Sequence, residues 1–347
     1  MDSPLNVLVF GSGAIGTLVG AHLAQAGQRV TFLVRPAAMA LLHAQGLTVL
    51  HKSYTIHVAR PTLAADPALV VGQQPFDCVL LAVKSYDTAN AALQLQAAGS
   101  GLPPIVCLQN GVDNEALLQE RFGSTRVIAG TVTTAASQTA PGSVSVERIR
   151  GVGLAAGSSL AMRLAAALQT TEMRVQLFAD ARAMKWSKLL TNMLGNATSA
   201  ICDLAPSAVF AHAGLYRVEI AALRETLLVM RKLNIPVVNL PGMRVRLLAT
   251  AINLLPAVWY HGFLAGQVGR GRGGKMPSLH NDLSAGRSRS EVGWLNGAVQ
   301  RHALGCGANA PVNHRLNVIL TELASGIRDR SDYQHKPDKL AGELGTR

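Results

Sequence analysis

Short apolar runs alternating with helical stretches over residues 1–180, a G-x-G-x-x-G turn closing the first of those runs, and long helical periodicity past Asp180 predict an α/β fold. They specify an N-terminal Rossmann-type doubly wound sheet followed by a mostly α-helical C-terminal domain. The expected division is 1–180 for the sheet domain and 181–327 for the helical domain. Residues 328–347 are polar, mixed in charge and carry Gly and Pro, which predicts a loosely ordered tail. At 347 residues and 49% hydrophobic content the chain is long enough for two buried cores, and disorder over most of it is excluded.

The first strand, Val7-Leu8-Val9-Phe10, runs straight into Gly11-Ser12-Gly13-Ala14-Ile15-Gly16. Such a turn is tight, lets backbone N–H groups approach a pyrophosphate, and allows the following helix to pack on the sheet; the helix N-terminus adds partial positive charge. These residues are therefore expected to bind a dinucleotide. The second strand, 30–34, ends on Arg35, and no carboxylate lies between Gly16 and Asp66. Enzymes that use NAD place an acid there for the ribose 2′-hydroxyl, whereas a cation suits the 2′-phosphate of NADP(H). Further strands are expected at 78–83, 105–108, 127–133 and 175–178, with helices at 88–98 and 114–122 between them. The Thr-, Ser-, Gly- and Val-rich segment 131–157 is expected to add antiparallel strands at one edge. In the second domain, helices are expected at 181–200, 209–233, 243–254, 290–304 and 312–325, with Pro206, Pro236, Pro241, Pro277 and Pro311 between or bounding them.

The 32 Lys and Arg against 20 Asp and Glu give a charge of +12, and Gly269-Arg270-Gly271-Arg272-Gly273-Gly274-Lys275 is a miniature RGG element. Nucleic acid is not the expected partner: there is one such patch, and aromatic residues make up only 4% of the chain, too few for stacking platforms. The patch reads instead as a basic loop beside a site for anions. Segment 247–269 has no charge and is long enough to cross a bilayer, but Asn253, Pro256, His261 and Gln267 interrupt it, so buried helices are expected and no membrane span. Cys78, Cys107, Cys202 and Cys306 show no metal-ligand spacing and read as thiols in a reducing compartment; no metal is expected. The first residues lack the basic and apolar regions of a signal peptide, and a cytoplasmic location is expected.

Chemistry is expected at strand ends, where open α/β sheets bind ligands. Lys84 follows one buried strand and Gln109-Asn110-Gly111 the next; the alternatives are a solvated charge and a simple turn. In the second domain Lys188, Asn192 and Asn196 are spaced four apart among Leu189, Leu190, Met193 and Leu194, which predicts one polar stripe on a buried helix. An ammonium there is a proton donor, and the two amides orient hydroxyl or carbonyl groups of a small substrate. The alternative is bonding to another helix within the core.

Together with Ser278-Leu279-His280-Asn281-Asp282, Gly286-Arg287, Ser290-Glu291-Val292 and Leu295-Asn296-Gly297, these motifs resemble the ketopantoate reductase (2-dehydropantoate 2-reductase) family along nearly the whole chain. The resemblance implies NADPH-dependent reduction of ketopantoate to pantoate in pantothenate biosynthesis. It implies that Lys188 is the general acid and Glu291 a substrate-site carboxylate. It also implies that Asn110, Asn192, Asn196 and Ser278 contact substrate or nicotinamide, and that Arg35 and Lys84 hold the 2′-phosphate end. The chain departs from the family pattern at Pro277, where a serine is usual, and at Gly293, where an acid is usual. The link from Asp282 to Glu291 is one residue longer, and 197–206 lacks a further asparagine. These departures sit on the substrate side, so a related reductase of another branched or hydroxylated 2-oxo acid is the main alternative, and a non-catalytic NADPH-binding regulator a second. His280 is a rival proton donor. A helical second domain suits a homodimer.

Overall fold

In the computed structural model, which describes residues 3–99, 101–254 and 276–345, the chain divides into two compact units. One runs to Lys185 and includes Leu240–Met243; the other comprises Trp186–Asn239 and the residues from Arg244 onward.

The first unit holds β1 (Asn6–Phe10), β2 (Arg29–Leu33), β3 (Leu47–Leu50), β4 (Thr55–Val58), β5 (Thr62–Ala64), β6 (Cys78–Leu81), β7 (Ile105–Cys107), β8 (Val127–Val132), β9 (Ala135–Ala140), β10 (Ser143–Arg148), β11 (Gly151–Ala155) and β12 (Arg174–Phe178). Eight strands form one sheet in the order β12-β11-β8-β7-β6-β1-β2-β5, parallel except where β11 meets β8. Strands β6 and β7 are apolar and buried on both faces, as a sheet covered by helices on both sides requires. The chain order reverses at β1, which pairs with β2 on one side and β6 on the other. That is the switch point at which such sheets bind ligands. Two apolar cores lie on the two faces: one gathers Leu18, Val19 and Leu23 of helix Ala14–Gln25, the other Ala91, Leu95 and Leu118 of helices Thr88–Ala97 and Asn114–Phe122.

Segment 131–157 departs from expectation. Strand β11 joins the main sheet antiparallel to β8, but β9 and β10 leave it and build a second sheet, β4-β3-β10-β9. The cause is period: in Ser143-Val144-Ser145-Val146 only the valines are buried, so β10 has one apolar face and cannot enter a sheet covered on both sides. Its valines join Val49 and Ile56 of β3 and β4 in the core of helix Ala14–Gln25, whose residues Gly16 to Leu23 are all buried.

The second unit is helical, with breaks that periodicity did not show. The single helix expected over 181–200 is two, Ala181–Met193 and Ala197–Cys202, because Gly195 adopts φ +58°. The one expected over 209–233 is Pro206–Ala211 and Ala213–Lys232, where the His212 ring accepts from Leu215 N (3.2 Å) as an N-cap. Residues 290–304 begin as a 3-10 turn, Glu291–Trp294, and continue as Asn296–Gly305. Helices Val245–Leu254 and Pro311–Ser325 lie as expected, and Ser278–Ser284 is additional.

The tail is not loosely ordered. After Arg328, which pairs with Glu322, come a 3-10 turn, Arg330–Asp332, and a helix, Pro337–Glu343. Tyr333 and Leu340 are 1% and 0% exposed, and Ala341 lies against Gly214. Three well-placed apolar side chains anchor a segment that its composition marks as polar.

Residues 255–269 of the apolar segment and the basic loop 269–275 lie outside the described residues. Among the described residues no helix is long and apolar enough to cross a membrane.

Candidate functional site

The glycine turn sits at the carboxyl end of β1, and each glycine has a different neighbourhood. Gly11 has φ +108°, and a methyl there would come 2.8 Å from Val83 N beyond β6. A methyl on Gly16 would overlap the Gly11 carbonyl and reach 3.0 Å from Val9 Cγ1. Around Gly13 there is nothing within 4 Å. Two glycines are thus demanded by packing, and the third leaves open space at the start of helix Ala14–Gln25, whose first turn has no acid. Ser12, Ala14 and Ile15 are half-buried around it. This arrangement fits a pyrophosphate on the helix N-terminus. Arg35, two residues past β2, is exposed and stands at the N-cap position of helix Pro36–Gln45 without a side-chain capping bond.

The ends of β6 and β7 are joined by buried polar side chains. Gln109 Nε2 donates to Val83 O (3.0 Å) and Thr88 Oγ1 (2.8 Å). Asn114 Nδ2 and Ser85 Oγ both donate to Asn110 O, at 2.7 and 2.9 Å. Lys84, half-buried, therefore shares one scaffold with Asn110 and Gly111, the latter at φ +90°. Lys185 Nζ enters the same scaffold, 2.6 Å from Gln109 O, 3.3 Å from Gly130 O and 2.7 Å from Glu115 Oε1. The last contact is an ion pair whose angles lie outside a hydrogen bond, the directed bonds going to the carbonyls. Burial works against the charge on Lys185, but the Glu115 carboxylate holds its pKa above the ordinary lysine value. The Cys107 thiol is itself pushed up by burial, as are Cys78 and Cys202, each to about 12, so these thiols stay protonated.

In the helical unit Lys188 and Asn192 are the half-buried positions of a turn whose neighbours Leu189, Leu190 and Met193 are buried. Asn196 is not on that helix: it is the N-cap of Ala197–Cys202, past the Gly195 break. Its Nδ2 donates to Asn192 O (3.0 Å) and its Oδ1 accepts from Leu279 N (3.3 Å). The amide of Asn196 thus makes the core bonds that were the alternative for the stripe, and it brings Ser278, exposed at the head of helix Ser278–Ser284, to the same place. Glu291, 5% exposed, opens the 3-10 turn Glu291–Trp294. His280 Nε2 meets Asp203 Oδ1 at 2.5 Å, and Asp203 also accepts from Gln334 Nε2 (2.8 Å). That ring holds the Asp203 carboxyl below the usual carboxylate range. His280 is a tie between helix ends.

Most of the chain matches a known family. Residues 7–175 match the model of ketopantoate reductase PanE/ApbA and residues 180–324 that of its C-terminal region. The chain belongs to the ketopantoate reductase family. It is an oxidoreductase, and its family is one of dinucleotide-binding reductases. The 2-dehydropantoate 2-reductase of Halobacterium salinarum is 35% identical over 209 residues, 58% of this chain and 66% of that one. That of Archaeoglobus fulgidus is 27% identical over 92% of this chain and 98% of its own. Among solved structures, the PanE/ApbA family ketopantoate reductase of Ralstonia eutropha JMP134 superposes with a TM-score of 0.78 at 26% identity, covering 93% of this chain and 99% of its own. A D-mandelate dehydrogenase in ternary complex with NADH and anilino(oxo)acetate shares the fold at a TM-score of 0.77 and 18% identity, over 93% and 99% of the two chains.

Three buried charged residues were not expected from the sequence: Lys185 and Glu115 in the first unit and Glu219 in the second. Glu219 accepts from Gly195 N (2.7 Å) and Thr198 Oγ1 (2.6 Å), fixing the break before Asn196. Lys185 and Glu219 are charges on mostly buried helices, and Glu115 sits in the first turn of a polar one. A Lys three residues before Lys188 carries that signal, but its partner, 70 positions away in the chain, does not show in any local pattern.

Proposed function

We propose that this chain reduces 2-dehydropantoate to pantoate with NADPH, a step of pantothenate biosynthesis, with Lys188 as general acid. The observation that carries the reading is the half-buried Lys188 and Asn192 on an otherwise buried helical turn, in a chain matched by both parts of the family model. Gly11, Ser12, Gly13, Ala14, Ile15 and Gly16 would hold the pyrophosphate, and Arg35 and Lys84 would neutralise the 2′-phosphate. When bound, the cofactor supplies hydride to the ketone carbon of the 2-oxo acid. Negative charge develops on the ketone oxygen, where the Lys188 ammonium stabilises it and delivers the proton. Asn110 and Asn192 orient the carbonyl and hydroxyl groups, the Ser278 hydroxyl donates to the substrate carboxylate, and Glu291 accepts from a substrate hydroxyl. Asn196 acts by fixing the Asn192 carbonyl and the head of the Ser278 helix.

A second reading keeps this mechanism with another 2-oxo acid, favoured by Pro277 and Gly293 on the substrate side. The experiment is a panel of 2-oxo acids, ketopantoate and a benzoyl-substituted oxo acid among them, assayed by oxidation of NADPH and of NADH. Ketopantoate with NADPH should give the highest kcat/KM. Another acid at the top would move the substrate, and equal use of NADH would remove the role of Arg35.

A further inference from the structure

Strands β7 and β8 pair in parallel from Ile105↔Val127 to Cys107↔Ala129 and then part. Beyond that fork β8 turns to β11, with Gly130 opposite Leu154, while the chain leaving β7 becomes the Gln109-Asn110-Gly111 turn. Two backbone carbonyls, Gln109 O and Gly130 O, are left facing the fork, and the Lys185 ammonium lies between them at 2.6 and 3.3 Å. With Glu115 as an ion-pair partner at 2.7 Å, two carbonyl acceptors and one counterion surround a single ammonium, 5% exposed. A buried charge of this kind stabilises poorly, because its desolvation offsets most of its pairing. A hydrophobic side chain would fill the space at less cost. What an ammonium does that a hydrophobe cannot is fix where those carbonyls point.

We propose that Lys185 is a positioning residue. It bridges the fork between β7 and β8, setting the backbone of the turn that presents Asn110, with Glu115 as the counterion that keeps it charged; the inference rests on Asn110 serving the reaction. The Gln109 side chain, bonded to Val83 and Thr88, independently ties the same turn to the end of β6 and holds the Lys84 end in place.

Three variants separate positioning from stability. Lys185→Met leaves Glu115 buried without its partner and should be strongly destabilised. Lys185→Met with Glu115→Leu removes both charges and should recover most of the lost Tm. Its kcat should nevertheless stay about 100-fold below wild type with NADPH affinity changed far less, the cost expected of a displaced reacting geometry. Glu115→Gln keeps the Lys185 amine as a donor to both carbonyls, charged or neutral, and should hold kcat within about tenfold of wild type. Amide exchange over residues 108–114, read without any substrate, should be about tenfold faster in the double variant than in Glu115→Gln. A double variant that recovers both Tm and kcat, or exchange at 108–114 equal to wild type, would overturn the proposal. So would a kcat for Glu115→Gln about 100-fold or more below wild type, which keeps the test decisive if the double variant does not fold. A wild-type protein that bound no dinucleotide would defeat the functional reading alone, leaving the exchange comparison intact.

Discussion

Gly13→Ala separates what the glycine turn does for folding from what it does for binding. Gly13 has φ −78° and ψ −166°, an extended backbone open to any residue, and an added methyl meets nothing within 4 Å. The folded protein is therefore unstrained by the change. Restricting the unfolded chain favours alanine by about 0.4–1 kcal/mol, while the helix N-cap prefers glycine, so the net effect is within about 1 kcal/mol. The methyl occupies the space assigned to the pyrophosphate and pushes it away from the N–H groups of the helix start. Losing one or two charge-assisted hydrogen bonds, at about 1.5–3 kcal/mol each, weakens NADPH by about ten- to a hundred-fold or more. Gly16→Ala is the opposite case. Its methyl overlaps the Gly11 carbonyl, which is backbone and cannot rotate away, so about 1–3 kcal/mol of stability is lost to overpacking, or about 2–4 °C of Tm per kcal/mol. Thermal unfolding without ligand and fluorescence titration with NADPH measure the two effects separately. A Gly13→Ala protein that melts like wild type and binds NADPH within about threefold of it would refute the assignment of that open space.

Arg35→Ala should weaken NADPH by about ten- to a hundred-fold and NADH hardly at all, and equal losses in parallel titrations would remove Arg35 from the 2′-phosphate. His22 and His51, ring centroids 5.1 Å apart, both have pKa values lowered by burial, His51 to about 4. Above pH 6.5 they are neutral folded or unfolded; below it the unfolded chain takes up protons that the folded one refuses, so stability should fall from pH 6.5 towards pH 4. His51→Phe, which keeps the stack on Tyr54, should flatten that fall in Tm, and an unchanged pH profile would discard the pair as its source. His280→Ala should lower Tm by breaking the tie to Asp203 yet keep most activity, and loss of turnover at unchanged Tm would reinstate it as proton donor.

The parallel sheet was legible because its strands are buried on both faces: β6 and β7 are continuous apolar runs that leave no other assignment. Strands β3, β4 and β5 were not, because Leu47–Leu50, Thr55–Val58 and Thr62–Ala64 are three or four residues long and make half-apolar patterns that a loop also shows. The glycine turn, Arg35 and the Lys188 helix were readable since each is local in sequence. The Gly195 break was not, because periodicity continues through it, and what turns the chain is a glycine φ held by Glu219 from another helix. The Lys185 bridge escaped for the same reason: its acceptors come from Gln109, Gly130 and Glu115, which only the folded sheet brings to one point.

Proton delivery by Lys188 is tested by steady-state reduction by Lys188→Ala of the 2-oxo acid that wild type uses best, alongside NADPH titration of the same sample. The residues proposed to hold the dinucleotide all lie in the other unit, so NADPH affinity should match wild type while kcat falls by about a hundred- to ten-thousand-fold. Near-normal turnover by Lys188→Ala would remove Lys188 as the proton donor.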